Sequence, residues 1–194
     1  MSQRVYDLFQ RSVEAKMQVG EHLAPAIARA SDSMVQALLD ERKIFICGNG
    51  LSAALAQMFA ASLADRFERE RPGLPAIWLG SNLTSYTSIA ATNGINDVYA
   101  KPIKALGQEG DVLVVITTTG NSANLTGAVD AARQRGMAIV ALTGGDGGDI
   151  SHLLDVNDVE VRVELNSRSR IHELHLLCIF CICDLIDNSL FGIE

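Results

Sequence analysis

Residues 111–122, Asp-Val-Leu-Val-Val-Ile-Thr-Thr-Thr-Gly-Asn-Ser, constrain the fold more than any other stretch. Val112 to Ile116 is an unbroken apolar run, mostly β-branched, which suits a strand buried on both faces in a parallel sheet. The run stops at Thr117, Thr118 and Thr119, followed by Gly120, Asn121 and Ser122; then Leu125, Val129 and Ala132 fall on one helical face. The chain therefore goes strand, hydroxyl-rich turn, helix N-terminus. Free backbone N–H groups and the positive end of the helix dipole converge there and make a site for an anion. The hydroxyls of Thr117, Thr118, Thr119 and Ser122 can hydrogen-bond phosphate oxygens. No Gly-Lys-Ser/Thr follows, so this is not a P-loop. The competing reading is an ordinary strand-to-helix turn capped by Ser122.

A second turn of the same kind lies upstream. Lys43 to Cys47 reads as the first strand, Gly48-Asn49-Gly50-Leu51-Ser52 as the turn, and Ala53 to Phe67 as an alanine-rich helix. The glycines let the backbone approach a ligand closely. Arg66 to Pro75 is charged and proline-bearing, so it reads as an exposed loop. Further strands are expected at 76–79, 137–143 and 159–163, the last edge-like. Helices are expected within 81–92 and at 98–106 and 168–191, with a flexible turn at Gly144-Gly145-Asp146-Gly147-Gly148. Alternating strands and helices imply an α/β fold, a five-stranded parallel sheet between helical layers. In such sheets the ligand sits beyond the C-terminal strand ends, where connections diverge to opposite faces.

Residues 1–41 precede the first strand and read as extra helices. Val5, Leu8, Phe9, Val13 and Met17 form a stripe, Pro25 marks a kink or break, and a second helix is expected over 32–41. A single domain already has enough helices to cover its sheet, so this leader is expected to bury its stripe against another subunit. The net charge of −7 argues against direct nucleic-acid binding. No apolar run approaches membrane-spanning length and no signal peptide is evident, which points to a cytoplasmic protein. Cys178 and Cys181 form a C-x-x-C inside an apolar helix, beside Cys183; with Cys47 they read as reduced core cysteines rather than a redox pair or metal site.

With both turns in view, the chain resembles the sugar isomerase (SIS) domain family over nearly its whole length. The residues carrying the likeness are Cys47-Gly48-Asn49-Gly50 with Ser52, Arg66-Phe67-Glu68-Arg69-Glu70-Arg71-Pro72, Gly120-Asn121-Ser122, Val140 to Gly144 with Asp146-Gly147-Gly148, and Cys183-Asp184-Leu185-Ile186-Asp187. The resemblance is to the phosphoheptose isomerase group and, within it, the DnaA initiator-associating proteins (DiaA). It implies a flavodoxin-like three-layer α/β/α sandwich, a single SIS domain spanning 1–194, homotetramers built through residues 1–41, and a phosphosugar ligand. It also implies a pocket of Asn49, Gly50, Ser52, Thr117, Thr118, Thr119 and Ser122.

The same resemblance counts against turnover. Ketose–aldose isomerisation needs a base and an acid, often with an electrophile for the enediolate. The isomerases carry a His and a Glu on the helix after the glycine turn and a Gln and a His on the terminal helix, which also bind zinc in some members. Those positions here are Met58, Ser62, His172 and Phe180. An Asp that the isomerases carry after the mid-chain helix is Thr92. His172 and His175 remain as candidates for a substitute metal or acid/base pair, although a buried, hydrogen-bonded His175 is the stronger reading. The expectation is a non-catalytic, cofactor-free, DiaA-like tetramer that gathers the initiator DnaA, with Leu190 and Phe191 as a partner patch. The alternative is a phosphoheptose isomerase with reassigned residues, in which zinc would be a cofactor; a phosphosugar sensor is a third reading.

Overall fold

The computed structural model describes residues 1–192; residues 193 and 194 of the span expected for the domain lie outside them. The elements are α1 (Ser2–Leu39), β1 (Ile44–Gly48), α2 (Leu51–Ala64), β2 (Ala76–Trp78), α3 (Leu83–Asn93), α4 (Ala100–Leu106), β3 (Val112–Ile116), α5 (Ala123–Gln134), β4 (Ala138–Gly144), α6 (Gly148–Leu153), β5 (Val159–Val163) and α7 (Arg168–Phe191). A single 3₁₀ turn, Ile95–Asp97, precedes α4.

All five strands are parallel, in the order β2-β1-β3-β4-β5. This is the flavodoxin-like order, with its switch point between β1 and β3. The two-residue period of the strands divides the interior into two cores. Ile44, Ile46, Val112, Val114, Val140 and Leu142 face α1, α2 and α7. Phe45, Cys47, Leu113, Val115, Ile139 and Ala141 face the layer of α4, α5 and α6. Because central strands are buried on both faces, β1 and β3 read as continuous apolar runs.

Two expectations fail. Pro25 does not break the leader: residues 2–39 form one helix. An interior proline costs about 3 kcal/mol, and the burial of Val19, Leu23, Ala30, Met34 and Ala37 on both sides of it outweighs that. The glycine-rich segment after β4 is not merely a turn, because it leads into the short helix α6, which buries Ile150. The apolar stripe on α1 remains open: Val5, Leu8, Phe9, Val13 and Met17 are all exposed, Phe9 at 70% and Met17 at 77%.

By length and composition α7 is apolar enough to cross a membrane, which the sequence reading did not anticipate. Its buried side chains, among them Leu174, Ile179, Ile182 and Ile186, pack in the core against α1, α2 and the sheet. The core explains the composition. Cys178 and Cys183 are buried there, Cys181 is half-buried, and all are free. Burial pushes the Cys178 thiol up to about 12, so it is protonated and inert.

Candidate functional site

The turns after β1 and β3 meet at the switch point. Gly48 permits this: a Cβ there would lie 2.7 Å from the Ser52 carbonyl oxygen and 2.9 Å from that of Ile116. Asn49 and Asn124 lock the turns together through reciprocal amide bonds of 2.8 and 2.9 Å. The buried Tyr99 hydroxyl donates to the Gly48 carbonyl at 2.6 Å. Thr117 Oγ1 accepts from the Gly120 N–H at 3.1 Å and more weakly from the Thr119 N–H at 3.4 Å, which folds the second turn back on itself. Gly120 takes φ 70°, and a Cβ there would collide with the Gly147 carbonyl.

Between the turns is a cleft of about 290 Å³ lined by Asn49, Ser52, Ile116, Thr117, Thr118, Thr119, Ser122, Arg168 and His172. The structure thus gathers every residue expected in the pocket except Gly50, whose φ of 57° shapes the turn without lining the cleft. Asn49 and Thr117 are engaged mainly in bracing the turns. Ser122 sits at the N-cap of α5 but makes no capping bond with its side chain. Its hydroxyl is therefore left to a ligand, beside the unpaired N–H groups that open any helix.

Of the four positions implied for catalysis, only His172 lines the cleft. Met58 packs against the apolar core. The Ser62 carbonyl accepts from Arg71 at 2.8 Å. Phe180 stacks at 5.7 Å on Phe67 and faces a separate groove between α1 and α7. Thr92 is exposed, and its hydroxyl bonds back to the Ser88 carbonyl. This donor set does not suit zinc: a core thioether, an outlying hydroxyl and a phenyl ring leave one imidazole. Among the described residues no three His, Cys, Asp or Glu side chains converge as metal ligands.

His175 is fully buried, and its Nε2–H donates to the Thr143 carbonyl at 2.9 Å. Burial lowers its pKa to about 4, so it is neutral and ties α7 to the end of β4. His172, one turn earlier, has both ring nitrogens buried without partners among the described residues. Burial, then the charge of Arg168, holds its pKa below the usual histidine value. An unprotonated imidazole in a polar cleft can accept a proton. Arg168 was not foreseen in the pocket; the only sequence signal was its place one helical turn before His172.

A scan against family models matches the SIS domain over residues 8–144. The chain is 51% identical to a protein named phosphoheptose isomerase from Chromohalobacter salexigens, over 97% of this chain and 96% of the relative. It is 50% identical to another of that name from Shewanella piezotolerans, over 98% and 97%. The chain belongs to the SIS domain family, in its phosphoheptose isomerase group. Solved phosphoheptose isomerases from Neisseria gonorrhoeae and Francisella tularensis superpose on this SIS domain with TM-scores of 0.90 and 0.92. Their identities to it are 41% and 40%, and the matches cover 96% of this chain in both cases and 98% and 97% of theirs.

These relatives overturn the expectation of a non-catalytic DnaA adaptor, because half the residues are shared across the whole length with proteins named as isomerases. Of the two residues expected as a partner patch, Leu190 is half-buried and Phe191 stays 39% exposed. Leu190 packs against the core, and the Arg69 and Arg71 guanidiniums lie 5.8 and 6.0 Å from the centre of the Phe191 ring.

Proposed function

We propose that the protein is a phosphosugar isomerase of the phosphoheptose type, converting sedoheptulose 7-phosphate to D-glycero-D-manno-heptose 7-phosphate. The carrying observation is the hydroxyl-lined cleft at the β1/β3 switch point with a neutral imidazole in its wall. In this reading Ser52, Thr118, Thr119, Ser122 and the N-terminus of α5 hold the phosphate. His172 moves the proton between the two carbons. A lone histidine without a paired carboxylate makes a slow isomerase, since a second acid or base typically contributes 10²- to 10⁴-fold. The test is conversion of sedoheptulose 7-phosphate by the purified chain, paired with the ligand's thermal shift for wild type and Ser122→Ala. Turnover and a diminished shift in Ser122→Ala are expected. An unchanged shift in the variant would discredit the pocket assignment.

Binding of the phosphosugar with no turnover would overturn the isomerase reading.

We also infer that the chain forms a homotetramer through α1. The support is the open stripe of Val5, Leu8, Phe9, Val13 and Met17 on a helix whose other face is buried at home. Light scattering should give four times the chain mass, and Phe9→Asp with Met17→Asp should dissociate it. A monomeric wild type sinks this inference.

A further inference from the structure

We propose that Arg168 is the specificity-determining residue of the cleft: its guanidinium takes the anionic group of the ligand and selects phosphorylated sugars over neutral ones. This rests on the reading of the cleft as a phosphosugar site, and assigns the charge that the hydroxyls lack. Four observations converge on it. First, among the described residues lining the cleft there is no Asp or Glu, in a chain of net charge −7. Second, among the described residues of that lining only Arg168 carries a permanent positive charge. Hydroxyls and helix N–H groups bind phosphate oxygens but supply no net charge, and a guanidinium pairs with phosphate in a bidentate fork.

Third, among the described residues Arg168 forms no side-chain hydrogen bond or salt bridge. Arg66, Arg71, Arg133, Arg162 and Arg170 all have carboxylate partners. A free arginine at the mouth of a pocket has no bridge to give up on recruitment, whereas a paired one must first break its own. Fourth, a neighbouring cleft of about 300 Å³ shares Thr118, Thr119 and Arg168 with the first but also contains Asp146. Arg168 therefore stands on the ridge between two polar clefts. The carboxylate repels an anion from one of them, so the phosphate belongs on the His172 side.

The experiment is calorimetric titration of wild type, Arg168→Gln and Arg168→Lys with sedoheptulose 7-phosphate, inorganic phosphate and unphosphorylated sedoheptulose. Arg168→Gln is expected to weaken the two phosphate ligands by about 10- to 100-fold, the scale of one charge-assisted hydrogen-bonded pair. Arg168→Lys should recover only part of that loss, restoring the charge without the fork. Affinity for the neutral sugar should not change, and the salt dependence of phosphate binding should flatten in Arg168→Gln. Circular dichroism checks that the variants fold; the exposed, unpaired side chain predicts that they do. Equal phosphosugar affinity in wild type and Arg168→Gln overturns the role of Arg168 and leaves the pocket standing. An equal loss for neutral and phosphorylated sugar also overturns it, since that is a steric effect. A wild type that binds neither phosphate ligand overturns this proposal and the phosphosugar reading together.

Discussion

Replacing Arg71 with alanine is expected to cost about 3–5 kcal/mol of folding stability, the scale seen when one partner of a buried ion pair is removed. The side chain of Arg71 is 1% exposed and that of Asp187 is 6% exposed, with Nε donating to Asp187 Oδ1 at 2.8 Å. Nη1 donates to the Leu63 carbonyl at 2.7 Å and to those of Asp65 and Pro72 at 3.1 Å. Nη2 donates to the Ser62 carbonyl at 2.8 Å. Ser62 and Leu63 lie in the last turn of α2, where carbonyls have no helical partner and the dipole is negative. One guanidinium thus caps α2, closes the 65–75 loop and ties both to the end of α7. Alanine would leave a buried carboxylate whose other oxygen, Oδ2, already lacks a partner among the described residues. A loss of this size is a large part of the roughly 5–15 kcal/mol that holds a typical domain folded. Denaturant unfolding at fixed protein concentration measures it. Arg71→Lys should lose much of the stability as well, because an ammonium cannot reach this many acceptors at once. A loss below about 1 kcal/mol in Arg71→Ala, the range of an exposed pair, would remove the clamp.

The sheet was legible because its central strands are buried on both faces. Runs such as Ile44 to Cys47 and Val112 to Ile116 have nowhere to go but the interior of a parallel sheet. The far boundary of β1 was set one residue short, since Gly48 reads as a turn residue in isolation. It belongs to the strand because the Ser52 and Ile116 carbonyls crowd it. Pro25 misled for the opposite reason: a local rule lost to burial along the whole of α1. Of the site, the hydroxyls were legible because strand, turn and helix N-terminus follow one another in sequence. Arg168 was not, since it enters from the far end of the chain and a charged first residue of a helix looks like a solvated face. The fates of Met58 and Phe180 needed the packing too. Only the fold reveals that one is core and the other stacks on Phe67 in a different groove.

His172→Ala is expected to lower kcat for sedoheptulose 7-phosphate by about 10²- to 10⁴-fold, the contribution of a positioned general base. Its affinity for the phosphosugar should stay within about threefold, since the phosphate is held by other residues. The split between kcat and binding separates proton transfer from a structural role. Among the described residues His172 is the one imidazole lining the cleft, and both its ring nitrogens lack a partner there. Burial, and then the guanidinium of Arg168, depress its pKa below that of a free histidine. The imidazole is therefore largely unprotonated at pH 7 and ready as a base. The sign follows: kcat/KM should be level near neutrality and fall as pH drops through the lowered pKa, below about 6.5. Arg168→Gln should move that acid limb upward, because removing a neighbouring positive charge makes protonation easier. A pH profile that stays flat through the acid limb, or a His172→Ala variant that keeps wild-type turnover, removes His172 as the base. The proton would then have to travel through a residue outside this cleft, and the neutral imidazole in its wall would be left with packing alone.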